Sequence, residues 1–124
     1  MSAVGERANL ALATLLGWTE IVAVGAGALL GRPPAGAPAC RGQAAVPDWC
    51  GSWDACGPLM VEHRCFPELG LLDRNIVYVL RDGRPVGHLL VSEFPSRDYA
   101  VRVAIVYAII GRLKRRAQLE GMVA

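Results

Sequence analysis

The sequence predicts an α+β fold: a small antiparallel sheet of about four strands, paired as two hairpins and sandwiched by about three helices. Three observations predict it. Ile76-Val77-Tyr78-Val79-Leu80 is rich in β-branched and aromatic residues, and the Asp82-Gly83 that follows is the dipeptide best suited to a two-residue hairpin loop. A second apolar run, Ile21-Val22-Ala23-Val24, meets Gly25-Ala26-Gly27 and returns as Ala28-Leu29-Leu30. Near the end, YAVRVAIVYAIIGRL is apolar on nearly every side except Arg102, the pattern of a buried helix. Hairpin-paired strands are antiparallel, which separates this chain from the doubly wound α/β class.

The elements follow in order. Ala8, Leu12, Leu15 and Leu16 fall on one helical face, with Asn9 and Thr14 off it, so the chain opens with an amphipathic helix ending near Gly17-Trp18. The first hairpin comes next. Residues 32–47, RPPAGAPACRGQAAVP, carry four prolines and two glycines, which forbids a long regular element there. Ser52 suits a helix N-cap and Asp54 the first turn. Pro58 leaves two readings: a helix starting near Gly57-Pro58, or one running from Ser52 through a kink. Pro67 and Gly70 end that element by Phe66. In the second hairpin the return strand spans Val86 to Phe94, with Gly87 a candidate bulge. Ser96 is a candidate cap for a final helix from about Asp98 to Leu119, polar after Gly111.

With 124 residues, 53% hydrophobic and 19% charged, the chain suits one α+β domain over 1–124 with its own core. A net charge of +2 is too small to imply nucleic acid or an anionic membrane by itself. From Ala8 to Gly31 the only formal charge is Glu20, a window long enough for a membrane span or signal peptide. An acid at mid-span is costly, the preceding Glu6-Arg7 is not basic, and the texture breaks at Gly17-Trp18. A soluble helix plus hairpin is therefore favoured. The alternative is a single-pass membrane or secreted protein stapled by disulfides.

Cys40, Cys50, Cys56 and Cys65 allow two disulfides in an oxidising compartment. No pair forms a CxxC, and Cys50, Cys56, His63 and Cys65 make only a loose metal-type set, so no metal site is assigned. Small buried thiols in a reducing cell are the plainer reading.

The chain has no GxSxG, HExxH, Walker A or GxGxxG motif. Pairing Cys56 or Cys65 with His63 or His88 is the only nucleophile arrangement to draw, and four cysteines with two histidines produce such pairs by chance. The chain is expected not to be an enzyme and to need no cofactor. The candidate partner-binding residues are Trp49 and Trp53, which could stack on a partner, and Arg112, Arg115 and Arg116, which share one side of the last helix. That basic run also supports an alternative, a nucleic-acid binder through the C-terminal turn.

RANLALATLLGWTE, DWCGSWDACGPLMVEH and SRDYAVRVAIVYAIIGRLKR together resemble small bacteriophage proteins of the phage ABA-sandwich domain type and their Nin-region relatives. Gly17, Trp18, Trp53, Ala55 and Arg102 carry the resemblance; the long Pro/Gly loop and the four cysteines depart from it. The resemblance implies helices on both faces of a small antiparallel sheet, a phage or prophage origin and the cytoplasm of a bacterial host; it does not imply an enzymatic activity. The expected function is that of a small accessory protein that binds a host protein, such as a component of a defence system, or a small signal molecule. The high apolar content also makes a homodimer plausible.

Overall fold

The computed structural model describes residues 3–34 and 42–123. Three helices and six strands follow in the order α1 (Ala3–Leu15), β1 (Thr19–Gly25), β2 (Ala28–Arg32), β3 (Ala44–Ala45), α2 (Trp53–His63), β4 (Cys65–Leu69), β5 (Ile76–Arg81), β6 (Arg84–Leu90) and α3 (Arg97–Val123). A single 3₁₀ turn, Val91–Glu93, links β6 to α3.

The α+β class holds, but the single four-stranded sheet is replaced by two antiparallel sheets of three strands each, β1-β2-β3 and β4-β5-β6. Each predicted hairpin forms and gains a third strand. In the first sheet the addition is the two-residue β3, pairing Leu30 with Ala45 and Gly31 with Ala44 inside the Pro/Gly-rich loop. Cys40 and Arg41 of that loop lie outside the described residues. In the second sheet the addition is β4, placed where Pro67 was expected to stop regular structure. β4 is an edge strand, and an edge tolerates a proline because one row of its backbone groups needs no ladder partner.

Both hairpin turns obey the same backbone rule. Asp82 and Gly83 have φ of 54° and 78°, and Ala26 and Gly27 have 52° and 78°. Two consecutive positive φ values match the turn to the twist of the flanking strands. β6 is shorter than expected, because the chain turns into the 3₁₀ segment at Val91. Its bulge falls beside Gly87: Val79 faces Gly87 and Leu80 faces Pro85, leaving Val86 unpaired.

Of the two readings of α2, the longer one is right: it runs from Trp53 through Pro58. Ser52 is extended but makes no side-chain cap bond, and the helix ends at Arg64 in the left-handed conformation, its N–H donating to Met60 and Val61 carbonyls. Ser96 does cap α3, its Oγ accepting from the Tyr99 N–H at 3.1 Å.

The layering inverts the expected sandwich. The central layer is helix α3, which packs on α1 and α2 and on β4, β5 and β6 of the second sheet. Ala100, Val103, Ala104, Ile105, Val106, Ala108, Ile109 and Ile110 are all buried. Ile105 and Ile109 are fully buried, and each contributes roughly 1.5–3 kcal/mol of transfer free energy. A helix apolar all round needs partners on several sides, so it takes the middle. The sheet needs cover on one face only. Val77 and Val79 alternate toward α3 and are fully buried, whereas Tyr78 between them faces away and is half-buried.

No helix among the described residues is long and apolar enough to cross a membrane. The apolar window of residues 8–31 is divided between α1, which lies against α3, and the first hairpin.

Candidate functional site

Three regions bring together polar or exposed apolar groups that the core does not absorb. The first is WCGSWDAC, residues 49–56, and it is a structural clasp. Asn9 of α1 is buried; its amide donates to Asp48 Oδ1 at 2.8 Å, and its carbonyl oxygen accepts the Cys50 N–H at 3.1 Å. Asp48 Oδ1 also accepts the Gly51 N–H at 2.9 Å. From α3, Arg102 Nε donates to the Cys50 carbonyl at 2.8 Å, and its guanidinium sits 5.4 Å from the Trp53 ring centroid. The segment before α2 is thus tied to both α1 and α3, and the lone charge in the apolar part of α3 has a structural partner.

Trp49 is 5% exposed, a core residue, so it presents no face to a partner. Its burial leaves little of the indole for the stacking expected of it. Trp53 remains 39% exposed, with Arg102 over its ring.

The described cysteines Cys50, Cys56 and Cys65 are free and buried, and they form no group with histidine or carboxylates that could hold a metal. Burial, with smaller contributions from Asp48 and Cys56, pushes the Cys50 thiol up to about 12. Burial raises Cys56 to about 11, against the opposing Arg102, and it also raises Cys65. Thiols held protonated in this way are poor nucleophiles. Of the Cys–His combinations that could be drawn, Cys65 with His63 makes no thiol–imidazole bond: Cys65 Sγ donates to the His63 carbonyl at 3.5 Å, and the His63 ring is engaged by Arg112.

The second region lies between α3 and the inner side of the second sheet. The structure separates the basic run of α3. Arg116 pairs with Glu120 at 3.6 Å on the surface. Arg112 and Arg115 instead line a pocket of about 70 Å³ with Cys65, Arg81, Val86, Ala108 and Gly111. Sequence reasoning missed Arg81. Its signal is the alternation Val77, Val79, Arg81, which places an arginine on the same side of β5 as two fully buried valines. On α3, Ala108, Gly111, Arg112 and Arg115 share the facing stripe, and the small residues leave the opening. Arg112 lies 3.1 Å from His63 Nδ1, which must accept, so the histidine carries its proton on Nε2. Burial and the arginines Arg112, Arg81 and Arg116 lower the His63 pKa against the opposing effect of Glu62.

The third region is the outer face of the second sheet. β4 contributes Phe66 and Glu68, β5 Ile76, Tyr78 and Leu80, and β6 His88 and Leu90. All are exposed or half-buried, with the Tyr78 and His88 rings 6.2 Å apart across the strands. The described helices that contact this sheet, α3 on all three strands and α2 on β4, leave these residues exposed or half-buried, so the expected cover of both faces is not matched here. Beside it, Leu71 and Leu72 in the β4–β5 connection are 92% and 105% exposed. They wall a hollow of about 480 Å³ with Leu69, Ile76 and Tyr78, rimmed by Glu68 and Asp73. Two adjacent leucines fully in water are unusual in a connection that could have been polar.

No family model matches the chain, and neither a curated protein nor a solved structure matches it.

Proposed function

We propose that this chain is a phage or prophage accessory protein that acts by binding a host protein in the bacterial cytoplasm, with the outer face of the second sheet as its docking surface. The observation that carries the reading is the apolar surface of Phe66, Ile76, Tyr78, Leu80 and Leu90 running into the exposed Leu71-Leu72. An open, contiguous apolar face beside a hollow is the usual mark of a protein interface. The acidic rim of Glu68 and Asp73 favours a partner that rings an apolar anchor with basic side chains. Binding rather than catalysis also suits the three described thiols, which are buried and held protonated. The resemblance of the opening, central and closing segments to phage ABA-sandwich proteins supports the origin and the host compartment; a component of a defence system is the partner class that origin suggests.

The test is capture from bacterial lysate with the wild-type chain beside Leu71→Asp/Leu72→Asp. A host protein retained by the wild type and lost by the variant is the expected result. Retention of nothing, or equal retention by both, would contradict the reading. Sedimentation of the purified chain separates the remaining case: a dimer abolished by the same substitutions would make a second copy the occupant.

A further inference from the structure

We infer that the pocket between α3 and β5 is a binding site for a compact tetrahedral oxyanion, a phosphate group, held by Arg81, Arg112 and Arg115. Three arginines line one opening of about 70 Å³, and no acidic residue lines it. Among the described residues none of the three forms an ion pair: of the acids nearby, Asp82 pairs with Arg64 at 3.3 Å, Glu120 pairs with Arg116 at 3.6 Å, and Glu62 lies 4.0 Å from His63 Nε2. Like charges brought together without a counter-charge repel one another, and an anion between them removes that cost.

The hydrogen bonding points the same way. Arg81 Nε is buried and has no partner. A buried donor without an acceptor is costly, and such groups in folded proteins are nearly always satisfied. Arg112 is already oriented by the buried His63, which takes one of its N–H groups and leaves the others available. Arg115 is exposed and sits at the mouth. Two arginines fixed by strand and helix, with a third at the opening, suit forked recognition of a phosphate, whose charge approaches that of the cluster. The small side chains of Ala108 and Gly111 make the space, and a Cβ added at Gly111 meets nothing within 4 Å. An opening of about 70 Å³ matches one phosphate-sized group, so a larger ligand would present its phosphoryl group there and keep the rest of itself outside.

The test uses the intact chain and Arg115→Gln, with Arg84→Gln, an exposed arginine outside the pocket, as control. Thermal unfolding and titration calorimetry are run at fixed ionic strength with inorganic phosphate, phenyl phosphate or acetate. Saturable binding of inorganic phosphate, weakened about tenfold or more by Arg115→Gln and unchanged by Arg84→Gln, is expected. Binding of phenyl phosphate alone, with the same dependence on Arg115, also supports the site and makes the source an organic monoester. Absence of saturable phosphate or phenyl phosphate binding overturns the inference. So does binding that Arg115→Gln leaves unaltered, or acetate binding as tight as that of phosphate. Loss of captured host protein in the Leu71→Asp/Leu72→Asp variant is independent of these outcomes.

Discussion

The two sheets have the same strand number, the same antiparallel order and the same type of hairpin turn, yet they differ in what holds them. The second sheet lies on α3, and Val77 and Val79 of its central strand are fully buried. In the first, β1 is exposed at six of its seven positions, and Leu29 and Gly31 of β2 are the residues that reach the interior. Pairing is set locally, by turn residues with positive φ and by alternating strands. Stability is set by whether a face is covered. The second sheet therefore has one face anchored and the other open, which is the combination the proposed docking surface requires.

The contrast is sharpest in matched substitutions. Val79→Ala removes fully buried methyl groups under α3 and is expected to cost roughly 2–3 kcal/mol in chemical denaturation. Val22→Ala, at a site 47% exposed in β1, is expected to stay within about 0.5 kcal/mol. Equal costs would mean that the first sheet is as firmly docked as the second.

Asn9→Ala tests the clasp. It leaves the buried Cys50 N–H without an acceptor and removes one donor to Asp48, at an expected cost of roughly 1–3 kcal/mol in the same measurement. Because the clasp holds α2 and α3, Cys56 should become accessible to alkylation faster in this variant, whereas in the wild type Cys50, Cys56 and Cys65 should react only on unfolding.

The pH dependence follows from His63, 8% exposed, with its pKa held below the usual value of about 6.5. Below 6.5 the unfolded chain binds a proton that the folded chain refuses. The stability associated with a neutral His63 is present above that pH and is lost as pH falls toward the lowered value. Unfolding midpoints should drop between neutral pH and mildly acid pH. His63→Gln, which keeps an acceptor for Arg112, should flatten that part of the curve; an unchanged slope would place the effect elsewhere.

Much of this architecture was legible in the sequence. Asp82-Gly83, Gly25-Ala26-Gly27 and the apolar segment after Ser96 all specify local structure, and local structure formed where they stand. What escaped was decided at long range. β4 forms around Pro67 because β5 supplies its partner, which no local rule about proline records. The sandwich came out inverted because the sequence shows that α3 is apolar all round but not which layers will share it. Trp49 and Trp53 look alike in sequence, and only the clasp buries one and leaves the other against Arg102. Of the candidate arginines, Arg112 and Arg115 do converge, but on Arg81, a residue whose significance depends on the register of β5.

The smallest expected effects are at backbone positions. Ala26 has φ of 52°, a region that costs most residues with a side chain about 1 kcal/mol or more but suits asparagine. Ala26→Asn should slow hydrogen exchange of the first hairpin and move global stability by less than about 1 kcal/mol if that hairpin opens on its own. Gly111→Ala should raise global stability by about 0.5–1 kcal/mol, since it lies within α3 and an added Cβ meets no atom.

The most direct test of the docking surface is a photo-crosslinking side chain placed in turn at Tyr78 and Leu72 on the second sheet's open side and at Val22 on the first sheet, in chains expressed in bacteria. The account predicts one discrete adduct with a host protein at both Tyr78 and Leu72 and none at Val22. Absence of an adduct at the first two sites, or the same adduct from Val22, would contradict it.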